Sequence, residues 1–361
     1  MSTDTTASLA DIEVFRKRVG TRLTEFVTDQ ASRLDELGPH LTSLLAAAND
    51  AVRGGKRLRA VFCYWGWRTA GGDPDDDRIV TASAAMEMLH ASALAHDDVM
   101  DDSDTRRGRP SAHRQFQQLH RTGRWAGAAD QFGTSAAMLL GDLLLSWSDE
   151  MLRTCGLDDA HVLAALRYFD AMRTEVVAGQ YLDLVAQSQG QTSVPQAMRV
   201  VRYKAAKYTV ERPLHLGAAL AGADTGLLTA LTSYGLPLGE AFQLRDDVLG
   251  VFGDPEVTGK PAGDDLREGK RTVLMALARE RADADQQRLL DRLFGRKKLD
   301  DHGVQQLRDA ITACGALAAV EELIDELTAA ATTALQHAPV HDDAAVTALQ
   351  DLAAVATSRD W

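Results

Sequence analysis

Carboxylates and arginines are concentrated in one short stretch of the sequence. Asp97, Asp98, Asp101 and Asp102 lie within six residues, and a run of arginines begins at Arg106. On a helix, carboxylates four residues apart share a face and repel each other, so the arrangement favours a cation between them. One or two carboxylates, with the other ligand positions left to water and phosphate, are typical of Mg²⁺ rather than of zinc or copper. The stretch therefore predicts a site for metal-bound diphosphate.

The residues before this acidic stretch decide between a site and an ordinary solvated surface. Acidic runs are usually solvated, but the segment 81–94 is mostly small and apolar, contains no glycine or proline and lacks the alternation of a strand. This pattern predicts a buried helix. Such a helix would deliver the aspartates to the end of a cavity, which favours the site.

A second concentration of charge precedes that helix. In Arg53-Gly-Gly-Lys56-Arg57-Leu-Arg59, two glycines end one helix and cationic residues open the next. Cations are unfavourable beside the N–H groups of a helix start. A diphosphate, however, can bind the backbone N–H groups, the helix dipole and the cations together. A basic surface turn is the alternative, and the aspartates downstream weigh against it.

Polar residues interrupt apolar helical patterns at three further places. His90 precedes the first aspartate by seven residues, or two turns on one face, so we expect it in the cavity rather than as a satisfied core histidine. Gln180 lies one turn from an aspartate, and buried polar groups of this kind need partners. Gln243 lies one turn from Asp246 and Asp247, so these three side chains can point into the same cavity.

The remaining sequence indicates what positions these residues. The chain of 361 residues is 45% hydrophobic and only 6% aromatic, and its periodicity is helical almost throughout. Its length would allow two or three domains, but no change of composition marks a boundary. We therefore predict one all-α domain over residues 1–361, with roughly ten to fifteen helices and a disordered tail at residues 1–8.

Charge, hydropathy and cysteines limit the partners and the compartment. The formal net charge of −13 argues against nucleic acid as the main partner. No apolar stretch approaches the roughly 18 residues of a membrane span, and the polar start Met1-Ser-Thr-Asp4 lacks a signal peptide. Cys63, Cys155 and Cys314 show no metal-binding spacing. These features predict a protein of the reducing cytoplasm without an integral membrane segment.

Three motifs resemble those of a known family. They are Gly54-Gly-Lys-Arg-Leu-Arg59, Glu87-Met-Leu-His90 and His96-Asp-Asp-Val-Met-Asp-Asp-Ser103. In this order they resemble the opening motifs of the trans-isoprenyl diphosphate synthases, also called polyprenyl synthetases, and most closely the geranylgeranyl diphosphate synthases. The similarity covers residues 47–272. The resemblance implies a single large helical bundle around a deep central cavity, isopentenyl and allylic diphosphates as substrates, several Mg²⁺ ions bridged by diphosphate, and a homodimer.

The resemblance also assigns roles to individual residues. The implied metal ligands are the carboxylates of two aspartate motifs, Asp97, Asp98, Asp101, Asp246 and Asp247. Isopentenyl diphosphate would be bound by Lys56, Arg59, His90 and Arg107, and the terminal Arg359 would lie nearby. The allylic diphosphate would be bound by Arg106, Lys204 and Lys260, with Gln243 beside it and Lys270 helping to close the site. Gln180 would lie close to the reacting carbons, where a carbonyl dipole can stabilise passing positive charge.

The sequence departs from the family's pattern at two positions. Ala205 replaces the threonine of a Lys-Thr pair, which leaves Lys207 as a rival to Lys204 by register. The hydroxyl contact to substrate is then either lost or moved to Thr209. Gly250 replaces the third aspartate of the second motif, so metal binding there would rest on the preceding aspartate pair with support from water.

Product length is predicted from the residues deeper along the helix that carries the first aspartate motif. Ala93 and Ser92 lie one turn below Asp97. Leu89 lies two turns below it, with Met86 beyond. Family members that stop at farnesyl diphosphate resemble one another in carrying bulky aromatic residues at the first level, which is open here. We therefore predict geranylgeranyl diphosphate as the main product, with longer polyprenyl or farnesyl products as alternatives.

Three other classes of protein fit the residues less well. A class I terpene cyclase would carry a triad of Asn or Asp, Ser or Thr, and Glu near Asp246, and the sequence has none there. A metal phosphohydrolase built on the His96-Asp97 pair would need further histidine ligands. A catalytically silent partner subunit would be expected to lose the aspartates. The sequence thus predicts an active prenyltransferase.

Overall fold

The computed structural model describes residues 3–190, 192–254 and 263–358, with side chains from residue 12 onward. In these ranges the fold is all-α, as predicted, and the strands are limited to the antiparallel pair β1 (Thr105–Arg106) and β2 (Arg109–Pro110). The helices up to the second aspartate motif are α1 (Thr3–Leu34), α2 (Thr42–Ala51), α3 (Leu58–Thr69), α4 (Asp77–Met100), α5 (Ala112–Thr122), α6 (Ala129–Arg153), α7 (Asp159–Gln189), α8 (Val194–Val200), a π-helix (Val201–Glu211), α9 (Arg212–Leu220) and α10 (Thr225–Phe252). They are followed by α11 (Asp264–Glu268), α12 (Val273–Arg281), α13 (Ala284–Leu293), α14 (Asp301–Ala313), α15 (Ala316–Gln336) and α16 (Asp343–Thr357).

The start of the chain differs from the expectation of a disordered tail at residues 1–8. Helix α1 begins at Thr3, so residues 3–8 are helical. Extending an existing helix fixes one residue for each hydrogen bond gained, whereas starting a helix fixes several. The apolar positions of α1 anchor the helix further on, at Ile12, Phe15 and Val19, and the polar residues before them extend it.

Two groups of buried apolar side chains form the interior. The larger core joins α1, α3, α4, α6, α7 and α9 with the first half of α10 and with α16. A second group, here called the C-terminal core, joins the second half of α10 with α8, α12, α14 and α15. Helix α10 and helix α15, whose end at Ala331 and Leu335 lies in the larger core, therefore belong to both cores. Within the described ranges, no helix is both long enough and apolar enough to cross a membrane.

Helix α4 lies at the centre of the larger core, as the apolar segment 81–94 predicts. Its N-cap is Asp76, whose carboxylate accepts a hydrogen bond from the backbone N–H of Arg78, and such a cap stabilises a helix by about 1 kcal/mol. It packs against α1, α3 and α6. Nearly all of its residues from Ile79 to Leu89 are fully buried, and a helix that is apolar all round needs such neighbours. The aspartates at its end are therefore held on a rigid element.

The π-helix between α8 and α9 is held close to two neighbouring helices by glycines. A Cβ added at Gly179 of α7 would lie 2.5 Å from the backbone nitrogen of Lys204. A Cβ at Gly239 of α10 would lie 2.6 Å from the Cα of Ala206. Neither contact leaves space for a side chain. π-Helical turns are rare and often occur at functional sites.

Gly179→Ala is expected to lower the free energy of unfolding by about 1–3 kcal/mol, because the added methyl meets backbone rather than a movable side chain. Gly20→Ala in α1 is the matched control, since nothing lies within 4 Å of a Cβ added there. An alanine in an open helical position should be neutral or stabilising. Urea unfolding of both variants checks the prediction, and equal midpoints would contradict it.

Candidate active site

A cavity of about 640 Å³ opens between α4, α7, the π-helix and α10. Carboxylates of both aspartate motifs line it, with Asp97 and Asp101 from α4 and Asp246 and Asp247 from α10. Lys204 of the π-helix lies on the same wall. The structure thus brings together acidic groups that are separated by about 150 residues in the sequence.

The first aspartate motif is connected directly to α7 and to the π-helix. Asp97 Oδ1 accepts a hydrogen bond of 2.9 Å from Gln180 Nε2 and lies 4.0 Å from Lys204 Nζ. Lys204 Nζ donates to Asp183 Oδ2 at 2.6 Å. Burial, together with the charge of Asp97, raises the pKa of Asp101 to about 6. A cation at this motif would relieve the repulsion between the two carboxylates.

Asp98 behaves differently from its neighbours. It is buried, and its carboxylate accepts hydrogen bonds from both Nε and Nη2 of Arg106. It is not among the side chains that line the cavity, so the structure separates it from Asp97 and Asp101. Its direct contact orients Arg106, whose guanidinium also lies 3.9 Å from Asp97.

In the β1–β2 hairpin, the side chains of the consecutive residues Arg106 and Arg107 contact different parts of the site. Arg106 contacts the first aspartate motif, as described above. Arg107 has a left-handed φ of 52° and donates from Nη1 to the carbonyl of Arg53 at 2.6 Å. Its guanidinium packs on Gly55, where a Cβ would lie 2.7 Å from Nη2. The hairpin therefore places Arg107 against the glycine turn before α3.

The basic turn at the start of α3 is fixed by a buried ion pair. Arg57 adopts a left-handed φ of 53°, and its guanidinium lies 3.6 Å from Glu87 of α4. Glu87 also accepts a hydrogen bond from the backbone N–H of Ala60. Both side chains of the ion pair are buried, and a buried charge needs a partner of this kind. The pair ties the turn, including Lys56, to the central helix.

Arg59 and His90 lie next to this turn on the cavity wall. Arg59 Nη2 donates to Thr209 Oγ1 at 2.9 Å, and its guanidinium lies 4.2 Å from the centre of the Tyr208 ring. Burial and the neighbouring arginines, Arg59 foremost, hold the pKa of His90 well below its usual value. Its imidazole is therefore neutral. Its buried Nδ1 has no hydrogen-bond partner among the described residues.

The π-helix distinguishes the two candidate lysines. Lys204 faces the cavity, whereas Lys207 turns to Glu175 of α7, 3.0 Å away, and to Glu211, 3.5 Å away. Ala205 and Thr209 also line the cavity. The threonine hydroxyl lost at position 205 thus has a counterpart one turn further on, at Thr209.

The second aspartate motif has one exposed and one buried carboxylate. Asp247 is buried, and its Oδ1 accepts a hydrogen bond of 2.8 Å from Gln243 Nε2. Burial raises its pKa well above the usual range. Asp246 is exposed to the cavity. Sequence reasoning missed a further acidic residue, Asp265 of α11, which is buried and lines the same cavity.

Of the three residues expected to set product length, one lines the cavity and two do not. Ala93 lines the cavity, whereas Ser92 and Leu89 are buried and are not among its lining residues. The apolar wall is completed by side chains of α7, α8 and the π-helix, namely Val176, Val177, Tyr181, Leu184, Ala197, Val200 and Val201. Lys260 and Arg359 lie outside the described residues.

This cavity and its motifs can be compared with known proteins. The family model described as polyprenyl synthetase matches residues 42–311 of the chain. The chain belongs to the polyprenyl synthetase family. The match confirms the resemblance carried by the three opening motifs.

Named relatives of this polyprenyl synthetase are prenyl diphosphate synthases. The chain is 33% identical over 271 residues to a (2E,6E)-farnesyl diphosphate synthase of Mycobacterium tuberculosis, covering 75% of this chain and 67% of that protein. It is 29% identical over 337 residues to a geranylgeranyl diphosphate synthase of Saccharolobus solfataricus, covering 93% of each. A crystal structure of geranylgeranyl pyrophosphate synthase from Corynebacterium glutamicum, complexed with isoprenyl diphosphate and magnesium, has 39% identity and a TM-score of 0.90 over 96% of this chain and 98% of that one.

The donor set of this polyprenyl synthetase fits magnesium bridged by a ligand. No group of three acidic, histidine or cysteine side chains within residues 12–190, 192–254 and 263–358 converges closely enough to hold a metal ion alone. The cavity instead presents separate carboxylates on two sides. Mg²⁺ is commonly held by one or two carboxylates together with substrate phosphates and water. Asp97, Asp101 and Asp246 supply oxygen donors of this type.

Proposed function

We propose that this polyprenyl synthetase condenses isopentenyl diphosphate with dimethylallyl, geranyl and farnesyl diphosphates head to tail, in a Mg²⁺-dependent reaction with geranylgeranyl diphosphate as the main product. The observation that carries the proposal is a single cavity with an aspartate motif on each of two walls and a separate basic turn beside it. An allylic substrate and an isopentenyl substrate need two such anion sites facing one apolar space.

The allylic diphosphate lies between the two aspartate motifs. Asp97, Asp101 and Asp246 would hold Mg²⁺ there, and the metal would neutralise the charge that develops on the leaving diphosphate. Lys204 and Arg106, both beside Asp97, contribute fixed positive charge at the same place. Asp98 acts through its hydrogen bonds to Arg106, which it holds in position.

The isopentenyl diphosphate binds at the glycine turn. Lys56, Arg59 and Arg107 provide the positive charge, and the neutral His90 provides a hydrogen bond from the cavity wall. The ion pair of Arg57 with Glu87 keeps the turn in its left-handed conformation. Binding on this side holds the isopentenyl double bond alongside the allylic carbon that loses its diphosphate.

The walls between the two anion sites protect the allylic cation. They are mainly apolar and offer no strong nucleophile near Ala93, Val176 or Leu184. Among the polar side chains of the wall, Gln180 is bonded to the first aspartate motif. Because its Nε2 donates to Asp97, its amide oxygen is the atom that can face positive charge. The proton lost after condensation goes to the departing diphosphate.

Product length is expected to respond to Ala93. Ala93→Phe should shorten the main product to farnesyl diphosphate, because an aromatic ring would fill the cavity one turn below Asp97. A helical turn rises about 5.4 Å, which is close to the length of one isoprene unit. Leu89→Ala should lengthen the product, because it would remove a large side chain one helical turn further from Asp97. Chromatography of dephosphorylated products from both variants checks this prediction. Unchanged products in both would place the floor on another helix.

A product assay tests the proposed function as a whole. Labelled isopentenyl diphosphate and Mg²⁺ are offered with dimethylallyl, geranyl or farnesyl diphosphate separately. Extension of each primer to geranylgeranyl diphosphate is the expected result. Products of other lengths would support a farnesyl or longer-chain synthase. Conversion of an allylic diphosphate without use of isopentenyl diphosphate would indicate a cyclase and overturn the proposal.

We also propose that the protein is a cytoplasmic homodimer. Large apolar side chains are exposed on α6, at Met138 and Leu139, and on α7, at Leu163 and Leu182. A surface of this kind marks an interaction site. The three cysteines are unpaired, as expected in a reducing compartment. Light scattering on the purified chain measures the assembly, and a monomer would contradict the dimer.

A further inference from the structure

The β1–β2 hairpin supplies one arginine to each of the two anion sites, although little in its own structure holds it. Each of its strands contains only two residues, and a hairpin of this size is not stable alone. Its turn is formed by Arg107 and Gly108, with left-handed φ angles of 52° and 73°. An arginine in this conformation is unfavourable, because the left-handed region favours glycine. The hairpin therefore depends on contacts at its base.

Ser111 closes the base of the hairpin. Its backbone N–H donates to the carbonyl of Asp104 at 3.0 Å, and its Oγ donates to the carbonyl of Ser103 at 2.6 Å. The residue is buried, so water does not compete for these bonds. They join the residue that follows β2 to the two residues that precede β1. The two ends of the hairpin are thus tied together by one residue.

The Ser111 hydroxyl makes this bond in place of the one that its position favours. Ser111 is the N-cap of α5, where a serine oxygen usually accepts a hydrogen bond from a backbone N–H of the first turn. Within residues 12–190, the Ser111 hydroxyl accepts no such bond. By contrast, Asp158 and Asp283 cap α7 and α13 with their side chains. The hydroxyl of Ser111 therefore serves the hairpin rather than its own helix.

His113 orients this hydroxyl. Its Nδ1 lies 3.2 Å from Ser111 Oγ. Because the hydroxyl proton is already donated to a backbone carbonyl, the oxygen accepts at this contact and Nδ1 carries the proton. Burial and the neighbouring Arg114 lower the pKa of His113, so its imidazole is neutral and Nε2 is unprotonated. The hydrogen bond from Nδ1 is therefore the contact through which His113 acts on the hairpin.

Helix α5 is a firm support for this pair of residues. It packs against α6, and a Cβ added at Gly133 of α6 would lie 2.5 Å from the carbonyl oxygen of His113. Phe116 of α5 is buried in the larger core. The side chain of His113 is buried as well. Hydrogen bonds through Ser111 and His113 therefore connect the small hairpin to a rigid part of the fold.

We propose that Ser111 and His113 are positioning residues for both substrates. By fixing the base of the hairpin, they place Arg106 beside the first aspartate motif and Arg107 on the glycine turn. Neither Ser111 nor His113 lines the cavity, so both act through the two arginines. Because these arginines are consecutive residues of one hairpin, a loosened base displaces both. The inference rests on the proposed function, since it concerns the binding of the same two diphosphates.

Steady-state kinetics of Ser111→Ala tests this inference. We expect the KM values for isopentenyl diphosphate and for the allylic substrate to rise together, each about five- to tenfold, as for a lost hydrogen bond. Asp158→Ala is the matched control, because it removes an ordinary side-chain cap from α7. It should lower the midpoint of thermal unfolding and leave both KM values unchanged. Wild-type KM values in Ser111→Ala would overturn the inference, and so would a rise in only one of them.

Two replacements of His113 separate positioning from packing. His113→Asn keeps an N–H donor near the place of Nδ1, whereas the longer side chain of His113→Gln carries its amide to the place of Nε2. Both variants lose the ring, so an effect of packing alone should appear in both. We expect KM values close to those of the wild-type protein in His113→Asn, and values raised as in Ser111→Ala in His113→Gln. Equal KM values in the two variants, or lower ones in His113→Gln, would overturn the inference.

Calorimetry without turnover distinguishes this inference from the proposed function. Isopentenyl diphosphate is titrated into the wild-type protein and into Ser111→Ala with no allylic substrate present, and we expect weaker binding in the variant. A wild-type protein that condenses no substrate, but whose binding of isopentenyl diphosphate is weakened by Ser111→Ala, would contradict the function only. An active enzyme whose Ser111→Ala variant binds isopentenyl diphosphate normally would contradict the inference only.

Discussion

An Asp97→Asn variant is expected to lose about a thousandfold in kcat. Asp97 faces the cavity, accepts a hydrogen bond from Gln180 and lies close to Lys204. Asparagine keeps an oxygen that can accept from Gln180, so the substitution removes the charge while preserving the contact. The leaving diphosphate would then lose much of the electrostatic stabilisation that the first motif provides. The initial rate with labelled isopentenyl diphosphate and saturating Mg²⁺ measures the loss.

Another acidic residue of the same stretch, Asp102, provides the control for this variant. Asp102 follows on the same stretch, but its side chain is 65% exposed and pairs with Arg114 at 2.8 Å. Asp102→Asn should therefore retain kcat. The KM for isopentenyl diphosphate should change little in either variant, since Arg59 and His90 remain in place. Equal losses of kcat in the two variants would show that the total negative charge of the stretch matters, rather than the carboxylate that faces the cavity.

Lys204→Gln is expected to lower kcat about a hundredfold and to raise the KM for the allylic substrate. The ammonium group lies in the cavity between Asp183, at 2.6 Å, and Asp97, at 4.0 Å. Removing it leaves two carboxylates without their shared cation and takes one positive charge from the leaving diphosphate. Steady-state kinetics with farnesyl diphosphate as the varied substrate would show both effects.

Lys207→Gln is the matched control on the same helix. This lysine contacts Glu175 and Glu211 and does not line the cavity. Its loss should lower the midpoint of thermal unfolding and leave kcat nearly unchanged. A larger fall in kcat for Lys207→Gln than for Lys204→Gln would reverse the assignment of the two lysines.

The aspartate faces of α4 and α10 could be predicted because α-helical spacing holds along both helices. His90, Ala93 and Asp97 line the cavity, as their spacing indicates, and so do Gln243 and Asp246. Asp98 was grouped with the metal ligands through its helical spacing and through the family resemblance. The pattern of residues could not show that Arg106, brought back by the β-hairpin, binds this carboxylate away from the cavity.

The family resemblance favoured Lys204, but helical spacing alone could not separate it from Lys207. Residues three apart share a face of an α-helix, so both lysines fit the same pattern. The wider turn of the π-helix separates them, and that turn depends on the close approach of Gly179 and Gly239 from two other helices. Asp265 was missed for a similar reason. Asp265 lies fifteen residues after Gly250 in the sequence and contacts it in space. Helical periodicity predicts contacts along one helix but not contacts between α10 and the separate helix α11.

The division of the interior into two cores has a consequence for cooperativity. The first aspartate motif is anchored in the larger core, whereas the end of α10 and the turn at Asp265 are anchored in the C-terminal core. Parts of a protein that pack separately can open separately, at a lower cost than global unfolding. Binding of Mg²⁺ and inorganic diphosphate across the two motifs would join them. Amide hydrogen exchange should then slow in α14 and α15, although neither helix contributes to the cavity wall. The bound ligand would thus couple the unfolding of the two cores.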